Sequence, residues 1–167
     1  MLVTDLSDND RTWVRERTEL LFGGDLVVSR DVVHTPADLP GFICVEGSER
    51  VGLATFKIEG DQCELVTLDA LCQWCGVCTA LLEAVEKAAK AAECTRVWTI
   101  TTNDNMDALR FFQRRGYQIY QVRPNGMDAI RQLKPGVPST GHYGIPIRDE
   151  IEMEKQLSEA GEGWRVV

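Results

Sequence analysis

The sequence lacks a surplus of positive charge: 18 Lys and Arg face 26 Asp and Glu, for a net charge of -8. A broad phosphate-binding face of the kind that grips nucleic acid is therefore not expected. No apolar run approaches the ~20 residues that a bilayer-crossing helix needs. The segment Met1 to Thr12 carries Asp5, Asp8 and Asp10 and no apolar core of signal-peptide length, so a cytoplasmic protein is expected. Histidine is scarce. His34 and His142 are the two in the chain, and both fall in predicted loops, where they read as surface residues.

Cysteine is present, but not in a pattern that completes a metal site. Cys72, Cys75 and Cys78 form Cys-x-x-Cys-x-x-Cys, yet an iron–sulfur spacing would require Cys then Pro where Leu82 and Glu83 stand. A closed zinc site would have to draw on distant thiols or the scattered histidines. No metal is expected. With no export signal, the six cysteines, which include Cys44, Cys63 and Cys94, read as reduced thiols.

With 167 residues and 44% hydrophobic content, the chain matches a single domain spanning 1–167, with a loose tail over 158–167. Its organising stretch is Glu64 to Thr79. Leu65, Val66, Thr67 and Leu68 read as a buried strand, and an amphipathic helix from Thr79 to about Ala92 follows, its apolar side made by Leu81, Leu82, Val85, Ala88, Ala89 and Ala92. Strand, tight loop and helix start together form an anion site, because the first helical N–H groups are unpaired and carry partial positive charge. Gly76 allows a ligand close to that backbone.

Elsewhere the pattern predicts a helix over Asp10–Phe22, a short strand at Asp25–Ser29, irregular chain over Asp31–Pro40, and an antiparallel meander of Phe42–Glu46, Val51–Ile58 and Cys63–Asp69. A strand over Thr95–Thr102, a helix over Met106–Arg115 and a strand over Tyr117–Arg123 come next. The Pro- and Gly-rich stretch Pro124–Pro146 has the length of a binding loop, with one short helix at Met127–Leu133. A last strand around Ile151–Leu157 alternates apolar residues with glutamates, as if one face were buried. The fold class is α+β, a three-layer arrangement with a central mixed sheet and an antiparallel N-terminal meander flanked by helices.

Two segments resemble the GNAT family of acyl-CoA-dependent N-acyltransferases. Gln73-Trp74-Cys75-Gly76-Val77-Cys78 is similar to that family's Gln/Arg-x-x-Gly-x-Gly/Ala loop. Asn105, Ala108, Gly116 and Tyr117, with Phe112 between them, are similar to its Asn-x-x-Ala-x-x-x-Tyr-x-x-x-Gly-Phe/Tyr. The resemblance covers about Asp25 to Leu157. It implies acetyl-CoA as cosubstrate, its pyrophosphate on Gln73, Trp74, Cys75, Gly76, Val77, Cys78 and Thr79, and its pantetheine arm along Leu68, Asp69 and Ala70. Asn105, Ala108, Phe111 and Phe112 would then lie near the thioester. The implied reaction is direct acetyl transfer to the primary amine of a small molecule or peptide.

Two departures stand out. Cys78 is larger than the usual Gly or Ala, and Phe112 stands where many relatives have a proton-donating Tyr. Among carboxylates, Glu64 is the first candidate for general base and Asp69 the second, against the alternative that Glu64 is an exposed strand-end charge. Asn105 has the competing role of a plain helix cap. A second copy of the chain is a candidate partner. A catalytically silent acyl-CoA-binding or sensory module, and a cysteine-based metal-binding domain, are the competing functional readings.

Overall fold

The computed structural model describes residues 1–157, so the expectation of a loose tail over 158–167 lies outside the described residues. The chain runs β1 (Leu2–Asp5), α1 (Arg11–Phe22), β2 (Val27–Ser29), β3 (Val32–His34), β4 (Gly41–Glu46), β5 (Glu49–Glu59) and β6 (Gln62–Ala70). It continues through α2 (Val77–Ala91), β7 (Arg96–Thr102), α3 (Met106–Gln113), β8 (Gln118–Arg123), α4 (Met127–Leu133) and β9 (Glu150–Gln156). The main sheet has seven strands in the order β1-β4-β5-β6-β7-β9-β8, and a separate hairpin pairs β2 with β3. Helices flank the sheet, giving the α+β class that the sequence pattern implies.

The α1 helix starts where the Asp10 carboxylate accepts the Ser7 N–H at 2.8 Å and the Arg50 guanidinium at 2.8 Å, and it stops at Gly23 in a left-handed conformation. It buries Val14 against Ala37, Ile43 and Leu53 on one face of the sheet. On the opposite face, α2 buries Val77, Leu81, Leu82, Val85 and Ala89 over Ala54, Phe56, Leu65 and Val97. Each such large side chain contributes about 1.5–3 kcal/mol on burial. Phe112 and Tyr117 extend this core beneath α3.

Two departures from the expected pattern matter for the site. The segment Asp31–Pro40 is not irregular throughout, since it contains β3 and a short 3-10 turn at Pro36–Asp38. Strands of three residues are too short to show a period. In β9 the glutamates are not on an open face: Glu150 and Glu152 are as buried as Ile151 and Met153. Arg96 makes this tolerable by pairing with both Glu152 and Glu154, because a buried carboxylate without a partner is strongly disfavoured.

Among the described residues, the only parallel neighbours in the main sheet are β6 and β7, and their ladder covers just Gln62–Glu64 against Arg96–Trp98. Beyond it a bulge interrupts β6 at Val66, where Thr55 pairs with Thr67 and Phe56 with Leu65. The Thr67 hydroxyl accepts the Thr55 N–H at 3.2 Å, which satisfies a backbone donor at the bulge. From there the two strands part, and the space between them becomes a groove.

Gly52 on β5 lets α2 approach the sheet beside the end of β6. A Cβ at that position would lie 2.4 Å from Val77 Cγ1 and 2.8 Å from the Asp69 carbonyl oxygen. Gly52→Ala is expected to lower stability by about 1–3 kcal/mol through overpacking, measured by denaturant titration. An unchanged midpoint would show that α2 is not held against β5 at this point.

Candidate active site

The loop between β6 and α2 exposes its backbone. Trp74 and Gly76 both have positive φ, 63° and 85°, and nothing lies within 4 Å of where a Gly76 side chain would begin. The first α2 amide to meet a carbonyl is that of Ala80, which donates to the Gly76 oxygen at 3.0 Å. Among the described residues, the amides of Val77, Cys78 and Thr79 have no backbone acceptor. They point where an anion would sit.

Positive side chains from the C-terminal end of α3 converge on the same loop. Arg115 donates to Thr79 Oγ1 at 2.5 Å and lies 3.7 Å over the Phe111 ring, while Arg110 sits 5.2 Å from the centre of the exposed Trp74 ring. Neither arginine was singled out as a site residue from sequence. The signal was the run of basic residues closing α3, which reads equally well as a response to the helix dipole.

The cysteines in this loop differ from expectation. Cys72 and Cys75 are joined in a disulfide with a Cα–Cα distance of 6.0 Å, so the reading of six reduced thiols does not hold for these two. They are thereby removed as ligands for a cysteine-based metal site. Cys78 lies partly buried, and burial, reinforced by Asp69, pushes its thiol up to about 11 despite the opposing pull of Arg115. Helix-start cysteines are commonly acidic; here desolvation outweighs the helix dipole.

The groove has a volume of about 760 Å³, and Leu68, Thr99, Asn105, Ala108 and Phe112 line it. Asn105 Oδ1 accepts the Ala108 N–H at 3.1 Å, so the capping role considered from sequence is real, while the residue also faces the groove. Asp69, Ala70 and the residues 73–79 lie outside the groove lining, as does Phe111, which packs edge-on against Phe112 at 5.2 Å. The stretch after α4 closes over the groove and is fastened by Asp104, whose carboxylate accepts the Thr102 hydroxyl and the His142 N–H. Gly141 is required there, since a Cβ would stand 2.1 Å from Asp104 Oδ2.

Glu64 is not an exposed strand-end charge. It is 8% exposed, at the position where the β6–β7 ladder stops, with Oε2 3.2 Å from His34 Nε2. His34 is 5% exposed, contrary to its reading as a surface loop residue, because β3 carries it onto the sheet. Asp69, the second candidate, receives two N–H groups of Arg17 on one oxygen, at 2.9 and 2.5 Å, and so ties α1 to β6. A further carboxylate, Glu150, lines the groove; it lies one residue before the strand expected from sequence and is buried.

This geometry accompanies clear kinship. A family model described as "Acetyltransferase (GNAT) family" matches residues 6–117. The chain belongs to the GNAT acetyltransferase family and is an acyltransferase. It is 46% identical to the uncharacterized protein YdhI of Bacillus subtilis (strain 168) over 121 residues, covering 72% of this chain and 76% of that one. It is 35% identical to the uncharacterized protein YxbD of the same organism over 137 residues, 81% of this chain and 86% of the relative. Among solved structures, an IAA acetyltransferase from Bacillus cereus ATCC 14579 superposes with a TM-score of 0.72 at 15% identity, over 93% of this chain and 98% of that one. A GNAT family acetyltransferase from Elizabethkingia anophelis with acetyl-CoA bound gives 0.62 at 20% identity, over 71% and 76%.

Burial raises the Glu150 carboxyl above its ordinary 4.5, with Asp31 adding to the rise and Arg123 opposing it. A carboxyl raised in the folded state contributes stability that is fully present below its unfolded pKa and is lost as pH climbs through the folded one. Wild type should therefore lose stability relative to Glu150→Gln as pH rises from about 4.5. Paired denaturant titrations across pH check this, and a pH-independent difference would remove the assignment.

Proposed function

We propose that the protein transfers the acetyl group of acetyl-CoA to a primary amine by direct attack, with Glu64 as general base. The observation that carries this reading is the buried Glu64 carboxylate at the fork where the groove between the parting strands begins. The groove, of about 760 Å³ and lined by Leu65, Val66, Leu68, Ala108 and Phe112, fits a pantetheine arm. The loop supplies the remaining fit, with unpaired amides at Val77–Thr79 and the arginines Arg110 and Arg115 gathered where a pyrophosphate would lie.

In this scheme the β6 edge between Leu65 and Ala70, which has no strand partner on the β7 side, offers its backbone to the arm and an N–H to the developing oxyanion. Glu64 takes the proton that the acceptor amine must lose, and it does so directly or through a water it holds. No cysteine lines the groove among the described residues, which favours direct attack over an acyl-cysteine intermediate. No tyrosine lines it either among the described residues, so in this scheme the departing thiolate takes its proton from solvent and not from a phenol.

The same lack of a tyrosine favours the second reading, a silent acyl-CoA-binding module, and turnover separates the two. Glu64→Gln should lower kcat by about 10²–10⁴-fold with little change in acetyl-CoA affinity, and should recover partly as rising pH deprotonates the amine. Wild-type turnover in this variant would transfer the role of base to water or another carboxylate. Ping-pong kinetics would overturn direct attack.

The loop assignment has its own test. Arg115→Ala should weaken coenzyme A binding by about tenfold or more, the worth of a charge-assisted contact, without altering the amine KM. Calorimetry giving equal coenzyme A affinities for variant and wild type would place the pyrophosphate elsewhere.

A further inference from the structure

A second cavity, of about 350 Å³, lies between the β2–β3 hairpin and the strands β6 and β7, and it shares Ser29 and Glu64 with the groove. Two of its polar atoms, Ser29 Oγ and His34 Nε2, are buried without a hydrogen-bond partner, although the residues are only 4% and 5% exposed. Buried polar groups left open in this way are costly unless a guest satisfies them. His34 Nε2 is close to Glu64 Oε2, at 3.2 Å, but out of line for a hydrogen bond. An ammonium has three donors and can serve Glu64, His34 and Ser29 together.

The outer part of the cavity has the opposite chemistry. Arg30 lies 4.6 Å over the Trp98 ring, while Lys57, in the same space, is paired with the exposed Glu59 at 3.3 Å. Arg30 reaches this place from a two-residue turn in which it and Asp31 both have positive φ, 50° and 64°. Such turns are ordinarily built from Asn and Gly, and side chains with a Cβ adopt them at a cost. Arg30 Nη1 is 3.6 Å from Glu152 Oε1, too far for a hydrogen bond, and Arg96 already pairs with Glu152. The guanidinium therefore retains donors for an anion.

Two cations, Arg30 and Lys57, and two carboxylates, Glu59 and Glu64, line the cavity. A polyamine would meet the cations and a dicarboxylate would meet the acids, whereas a molecule with one charge of each sign meets complementary groups at both ends. We infer that the acceptor is a small zwitterion, an amino-acid-like amine whose ammonium sits on Glu64, His34 and Ser29 and whose carboxylate sits on Arg30 beside Trp98. This inference rests on the acetyl-transfer reading for its chemistry, but it makes its own statement about binding.

The test compares matched amines, phenylalanine with phenethylamine and 4-aminobutyrate with butylamine, plus putrescine. Each is titrated calorimetrically into protein saturated with coenzyme A, and acetylated product is followed by mass spectrometry with acetyl-CoA. At least one carboxylate-bearing member should bind and react about tenfold better than its partner. Arg30→Gln should erase that difference without changing acetyl-CoA affinity, and Arg30→Lys should keep most of it. Equal or better binding of the plain amines, a preference that survives Arg30→Gln, or no binding by any member would overturn the inference. Carboxylate-dependent binding that Arg30→Gln abolishes, with no acetylated product, would instead keep the zwitterion-binding site and overturn the acetyl-transfer reading on which its role as acceptor rests.

Discussion

The structure depends on two parallel strands that stay together for three residues and then separate. A sheet whose neighbours remained paired would have no groove, and its backbone groups would be spent on each other. Here β6 and β7 pair through Glu64 and Trp98, and the bulge at Val66 turns β6 away immediately afterwards. One carboxylate is thereby buried at the fork, with a groove on one side of it and a cavity on the other. The covering elements follow from this separation: α3 presents Asn105, Ala108 and Phe112 to the gap, and the stretch fastened to Asp104 closes over it.

The face of the sheet beneath the β2–β3 hairpin is unusual in its charge. Glu64, Glu150 and Glu152 are all buried, and Arg30, Arg96, Arg123 and His34 are distributed among them. A hydrophobic filling of the same volume would commonly be at least as stable. The retention of so many charges beside a cavity fits a surface that handles a charged guest, and Ser29 Oγ and His34 Nε2 are among the buried polar atoms left without a partner there.

Much of this was legible in the sequence, and the reasons for success and failure are physical. Leu81, Leu82, Val85 and Ala89 repeat at helical spacing, so α2 is evident to within two residues, and the short helix Met127–Leu133 lies where its flanking glycines and apolar residues put it. The choice of Glu64 over other carboxylates rested on its place at the start of the central strand. What sequence hid was tertiary. Three-residue strands β2 and β3 carry no periodicity, so the burial of His34 was invisible, and β1 is too exposed to show an apolar pattern. The glutamates of β9 alternate as surface residues do, and only the packing of another element over them reverses that meaning. The Cys72–Cys75 bond likewise depends on a loop geometry that spacing alone does not specify.

The placement of β9 affects how the chain can assemble. It follows β7 and β8 in sequence yet lies between them, paired with both. Until residues 150–156 are available, β7 has an unpaired edge and β8 has no neighbour at all, and unpaired edges are sites of mispairing between chains. The wall of the groove formed by Thr99–Thr102 is thus secured by one of the most sequence-distant pairings in the molecule, a topology that slows folding. The strands β1, β4, β5 and β6 and the helix α2 can therefore pack together before residues 150–156 are available, and the groove wall closes only when β9 inserts between β7 and β8.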